Sequence, residues 1–120
     1  MTPEQINEAV AKKLGWTDIC NRHEIGYGIK WVGNNPRKKR NNIPDGYRAF
    51  DSLPDFCRSI EAAWELVDNW NECGDFYLRR ETIQKKINWQ ASFWFNGENK
   101  AAEWADTAPM AIALAFLKLP

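Results

Sequence analysis

The chain predicts an α+β fold in the order α-β-α-β-β-α, with an antiparallel sheet packed by helices. Three observations point to it. Apolar residues recur at helical spacing in three places, each with its own start or stop signals. Two stretches, Ile25–Val32 and the Phe76–Phe95 hairpin, carry a two-residue alternation. No internal repeat and no linker-like composition interrupts the 120 residues. That length suits one domain over residues 1–120 with one modest core.

The first helix begins at a capping box, Thr2-Pro3-Glu4-Gln5, in which the Thr2 hydroxyl and the Gln5 side chain satisfy end N–H groups reciprocally. Ile6, Val10 and Leu14 mark its buried stripe, and Gly15 supplies a left-handed stop with Trp16 closing over it. Ile25 to Val32 alternates and reads as a strand. Gly33 to Tyr47 is rich in Gly, Asn, Pro, Lys and Arg and predicts a long, mobile loop with Ile43 as its one apolar anchor. Leu53-Pro54-Asp55 opens a second helix, with Phe56, Ile60, Ala63, Trp64 and Val67 on one stripe, acidic residues opposite and Gly74 at its end. Phe76–Ile83 and Ile87–Phe95 form a hairpin around Gln84-Lys85-Lys86, and Asn96-Gly97-Glu98-Asn99 is a turn. Asp106-Thr107-Ala108-Pro109 caps a third helix, Met110 to Leu119, apolar almost all round and therefore buried against the sheet or a second subunit.

Hydrophobic residues at 44% and charged residues at 27% describe a globular chain and exclude a disordered one. No apolar run approaches the roughly 20 residues of a membrane span, and the start lacks a basic-then-apolar leader. These features predict a soluble cytoplasmic protein. Seven tryptophans exceed what so small a core needs, so some of them are expected to face a ligand or a symmetric partner.

The balanced charge hides an asymmetry. Arg37, Lys38, Lys39, Arg40 and Arg48 cluster around Asp45, whereas residues 51–75 carry Asp51, Asp55, Glu61, Glu65, Asp68, Glu72 and Asp75 against Arg58 alone. A basic loop beside an acidic helix fits self-association or a small anionic ligand better than a long nucleic acid; it also fits two solvated faces. Cys20, Cys57 and Cys73 form no even disulfide framework. Cys20 and His23 make a C-x-x-H pair, but the spacing to the other cysteines matches no zinc pattern, and no metal or cofactor is expected.

Strand alternation gives the hairpin two faces. Ile87, Trp89, Ala91, Phe93 and Phe95 make a continuous core face, with Phe76, Leu78 and Arg80 on the same alternation of the partner strand. Tyr77, Arg79, Asn88, Gln90 and Trp94 share the other. Aromatic planes stack a nucleotide base, amides read its edge, and a guanidinium fork holds phosphate. An interface between subunits uses the same residue types. A phosphate-cradling loop, a dinucleotide fingerprint and a nucleophile elbow are all missing. His23 is the single histidine, and the acidic segment carrying Cys57 and Cys73 raises a thiol pKa. The chain is not expected to be an enzyme.

Three blocks resemble the phage ABA-sandwich domain family: Ile6-Asn7-Glu8-Ala9-Val10-Ala11-Lys12-Lys13-Leu14-Gly15-Trp16; Leu53-Pro54-Asp55-Phe56-Cys57 leading to Ala62-Ala63-Trp64-Glu65-Leu66-Val67; and Ala105-Asp106-Thr107-Ala108-Pro109-Met110-Ala111. They bracket nearly the whole chain in order. The resemblance implies a layered α+β domain similar to Thoeris anti-defence sponges, which bind cyclic ADP-ribose-type signals or cyclic oligonucleotides in an oligomer without cleaving them. Such a sponge draws on aromatic and arginine residues near a hairpin and at helix ends. Here these are Tyr77, Arg79, Arg80, Trp89 and Trp94 on the hairpin and Arg58 at the start of the second helix; the last helix has no arginine. With Asn88 and Gln90, the expected ligand-binding set is Arg58, Tyr77, Arg79, Arg80, Asn88, Gln90 and Trp94. The expected function is capture of a cyclic nucleotide immune signal by a homo-oligomer in an infected bacterial host. The alternative is a protein-interaction module that inhibits a host protein.

Overall fold

The computed structural model describes residues 1–24, 28–36, 50–71 and 74–120. Arg37, Lys38, Lys39, Arg40, Arg48, Ile25, Tyr27, Glu72 and Cys73, and with them most of the expected mobile loop, lie outside the described residues. The described elements are α1 (Pro3–Lys13), β1 (Thr17–Glu24), β2 (Gly28–Asn34), β3 (Asp51–Ser52), α2 (Ile60–Asn71), β4 (Asp75–Ile83), β5 (Lys86–Phe95), β6 (Glu98–Ala105) and α3 (Ala108–Lys118). The class is α+β, and the coarse order agrees with the sequence. Three strands stand where one was expected before α2, and a third strand follows the expected hairpin. Contacts gather into two units, Met1–Val10 with Pro54–Pro120, and Ala11–Leu53.

In the larger unit, β4-β5-β6 form an antiparallel sheet. One sheet face is covered by α2 and α3, which also pack on each other. Phe93 lies at the centre of that core, fully buried, with its ring 5.0 Å from Phe76, 5.8 Å from Trp70 and 6.3 Å from Phe116. Burying a phenylalanine side chain contributes roughly 1.5–3 kcal/mol before packing specificity is counted. The apolar α3 is used up here: Ala111, Ile112, Ala113, Ala115 and Phe116 are buried within the chain itself. Thr107 caps it, accepting from the Met110 N–H at 3.4 Å.

The core face of β5 is narrower than its alternation predicts. Ala91 and Phe93 are buried and Trp89 is half-buried, but Ile87 and Phe95 at the strand ends are exposed. On α2 the buried stripe is Ala63, Leu66 and Val67, while Ile60 and Trp64 are about half exposed, Trp64 at the edge of the core with its ring 5.8 Å from Phe76. The helix also starts later than Leu53-Pro54-Asp55 suggests. Residues 56–58 form a turn, and Ser59 caps the helix, its Oγ accepting from the Ala62 N–H at 3.2 Å. Asp55 is engaged elsewhere: its Oδ1 accepts from Asn7 Nδ2 at 2.9 Å, while Asn7 Oδ1 accepts from the buried Cys57 N–H at 3.1 Å.

The capping box of α1 forms as the sequence predicts, Thr2 N–H to Gln5 Oε1 at 2.8 Å and Gln5 N–H to Thr2 Oγ1 at 3.2 Å. In the smaller unit the helix ends in a Schellman motif. Trp16 N–H donates to the Ala11 carbonyl and Gly15 N–H to that of Lys12, both at 3.0 Å, with Gly15 at φ +95°. The sheet β1-β2-β3 is antiparallel, with a register shift between Thr17 and Cys20. The Trp16, Ile19 and Leu53 side chains close on the backbone of Gly33, where an added Cβ would lie 3.1–3.3 Å from them.

Candidate functional site

The register of the larger sheet decides which side chains meet. Tyr77 pairs with Ser92, Arg79 with Gln90, Glu81 with Asn88 and Asp75 with Trp94, so all eight point to the face that α2 and α3 leave uncovered. Pairing of β5 with β6 adds Trp104 opposite Gln90 and Ala102 opposite Ser92. The result is an open hollow of about 470 Å³ lined by Asp75, Tyr77, Arg79, Gln90, Ser92 and Trp94, with Gly97 at its rim.

The aromatic walls are fixed by local contacts. Tyr77 and Trp94 stand perpendicular, 6.1 Å apart with an 87° angle between planes. Trp94 Nε1–H donates to Ser92 Oγ at 3.1 Å, which ties the indole to its own strand. The Trp94 carbonyl accepts from Trp70 Nε1–H at 3.2 Å, and Gly74 sits so close that a Cβ there would be 2.0 Å from the same oxygen. Tyr77 is 58% exposed, so its ring is available from solvent.

Arg79 is positioned on two sides. Its guanidinium carbon lies 5.1 Å from the centre of the Trp104 ring, and its Nη2 lies 3.7 Å from Glu81 Oε1. Both partners of that ion pair are largely exposed, a setting in which such pairs contribute only about 0–1 kcal/mol. Releasing Arg79 from Glu81 would therefore cost little.

Four expected residues, Tyr77, Arg79, Gln90 and Trp94, come together in this hollow. Asn88 lies one step along the same face, beside Glu81. Arg80 faces the opposite side, with its guanidinium carbon 5.9 Å from the Trp89 ring, and does not join the cluster. Arg58 lines a neighbouring hollow of about 590 Å³ with Trp104, Thr107 and Met110. It is bonded there to Glu4 at 3.1 Å and Asp55 at 3.3 Å, and these hydrogen bonds raise its pKa. Glu4 is lowered in turn, first by a backbone hydrogen bond at the helix start and then by Arg58. The two hollows adjoin at Trp104, which lines one while its ring carries the Arg79 of the other.

Asp75, Ser92 and Trp104 were not among the expected residues. A strand after the Asn96-Gly97 turn is the signal that places Trp104 here, since Asn-Gly is a strong two-residue hairpin marker.

Neither histidine nor cysteine lines the hollow. Cys57 is in the turn before α2, not within the helix as the sequence suggested. Its thiol is pushed up to about 11, first by burial and then by the charge of Asp55. Among the described residues, no group of three or more His, Cys, Asp or Glu is placed to hold a metal ion, and no helix is long and apolar enough to cross a membrane. No protein-family model, curated protein or solved structure matches the chain.

Proposed function

We propose that the chain is a non-catalytic capture module for a nucleotide signal, of the cyclic ADP-ribose or cyclic oligonucleotide type, bound on the open face of the β4-β5-β6 sheet. The observation that carries this reading is the convergence of Tyr77, Arg79, Gln90 and Trp94 on one uncovered hollow. Stacking planes, an amide and a weakly held guanidinium form a set that a base with attached phosphate satisfies. Capture needs affinity alone, and the hollow offers neither a histidine base nor a thiol nucleophile. On this reading the chain is a phage anti-defence sponge of the ABA-sandwich type, acting in the cytoplasm of an infected bacterium as a homo-oligomer.

A second reading has its own observation. Ile60 and Trp64 are 47% and 44% exposed on α2, beside Glu61, Glu65 and Asp68, a surface suited to a basic protein partner. Calorimetry against a panel of cyclic nucleotides, followed by heat denaturation and recovery of the ligand, separates the two. Saturable heat with intact ligand released supports capture, altered ligand indicates catalysis, and no heat with any nucleotide favours the protein partner.

A further inference from the structure

We infer, on the nucleotide-capture reading, that the site is built for a zwitterionic ligand: a positively charged planar ring packs into the corner formed by Tyr77 and Trp94 beside Asp75, while its phosphate goes to Arg79. The hollow has opposite charges at its two ends. Asp75 is the cross-strand partner of Trp94 and lines the hollow with it. Among the described residues no salt bridge neutralises its carboxylate. Arg79 lies four residues along the same strand, about 13 Å away at the usual strand rise, so that the charges are separated instead of cancelling. Its guanidinium is drawn toward β6 by Trp104 and toward Glu81, away from the Asp75 end.

The Asp75 end combines two features that favour a cation. Aromatic faces attract positive charge through their quadrupole, and Tyr77 and Trp94 present two such walls at a right angle. A planar cation stacks on one wall and directs its electropositive edge at the other or at the carboxylate. The rim beside them is open, since nothing lies within 4 Å of the position a Cβ would take on Gly97. A neutral base gains stacking but leaves the Asp75 carboxylate partly desolvated without a partner. The class of ligand this selects is a mononucleotide unit whose ring is N-alkylated and cationic, such as a ribosylated pyridinium or purinium.

The experiment uses nicotinamide mononucleotide, its reduced dihydropyridine form and adenosine monophosphate as probes at one ionic strength. The first pair share size, sugar and phosphate but differ in ring charge. The oxidised form is expected to bind about tenfold or more tightly than the reduced form, and Asp75→Asn to abolish that preference by weakening the oxidised form alone. The Asp75 side chain is exposed, and a melting curve confirms that the variant folds. Equal affinity for both forms, or a preference that survives Asp75→Asn, overturns this inference and leaves the capture reading standing. Failure of all three probes also overturns it, and only if the cyclic nucleotides are silent as well does the capture reading fall with it.

Discussion

The Arg79 guanidinium reaches across Gln90 on the central strand to lie 5.1 Å from the centre of the Trp104 ring. Three strands thus contribute one arginine, one amide and one indole to a single row across the sheet. The indole holds the guanidinium through its ring face and so leaves its N–H donors unused. A fork held in this way loses less side-chain freedom when it meets a phosphate.

Arg79→Ala is expected to weaken nucleotide capture about tenfold or more, since a charge-assisted hydrogen bond contributes roughly 1.5–3 kcal/mol. The side chain is 59% exposed, so the melting temperature should barely move. Titration calorimetry and a thermal melt on the same variant check both halves.

Phe93→Ala and Trp94→Ala are adjacent in sequence and should behave differently. Phe93 fills the core between three rings, and its truncation should cost roughly 3–5 kcal/mol of stability. Trp94 faces the hollow, and its loss should remove roughly 1–3 kcal/mol of stacking from binding. Denaturant melts paired with ligand titrations distinguish them; equal destabilisation by both would remove Trp94 from the site.

Gly74→Ala should act on core and site together. The added methyl group meets the Trp94 carbonyl and forces backbone to move, and overpacking of this kind costs about 1–3 kcal/mol. It also disturbs the bond from the Trp70 indole to that carbonyl. A lowered melting temperature accompanied by weaker capture is the expected result, read from a melt and a titration.

Cys57 should resist alkylation. An unfolded thiol titrates near 8.5, whereas the buried Cys57 holds its proton to about 11. The folded state binds the proton more tightly, so this contribution to stability is full below about pH 8.5 and is lost as pH rises toward 11. Peptide-mapped labelling with iodoacetamide at pH 8 should modify the exposed Cys20 well before Cys57.

Caps and alternation were legible in the sequence because they are local. The Thr2–Gln5 box, the Gly15 stop, the Thr107 cap and the two faces of the β4–β5 hairpin all follow from neighbours within a few residues. Strand β6 was not legible, since Glu98-Asn99-Lys100-Ala101-Ala102-Glu103 has the composition of a helix and pairs only because Asn96-Gly97, at φ +52° and +75°, turns the chain back. The hairpin turn was misplaced by one residue for a related reason. Gln84 and Lys85 occupy the left-handed region at φ +50° and +64°, where neither residue type is common.

Half of the candidate site was visible for the same reason. Tyr77, Arg79, Gln90 and Trp94 share a face by alternation alone. Arg80 was drawn into the set by residue type, but its parity sends it to the side of Trp89. Trp104 depends on the register of β6, which the alternation of a single strand leaves open, and Asp75 was missed because β4 begins one residue before the expected start at Phe76.

Indole N–H resonances followed during nucleotide titration test the central claim most directly, because the tryptophans sample both sides of the larger unit. Trp94 and Trp104 belong to the open face, and Trp64 lies on α2 on the opposite side of the sheet, against Phe76. If the open sheet face captures the nucleotide, the Trp94 and Trp104 signals shift together and saturate while Trp64 stays still. A saturable shift of Trp64 alone, or no shift of Trp94 and Trp104 at a concentration where heat of binding is measured, would contradict it.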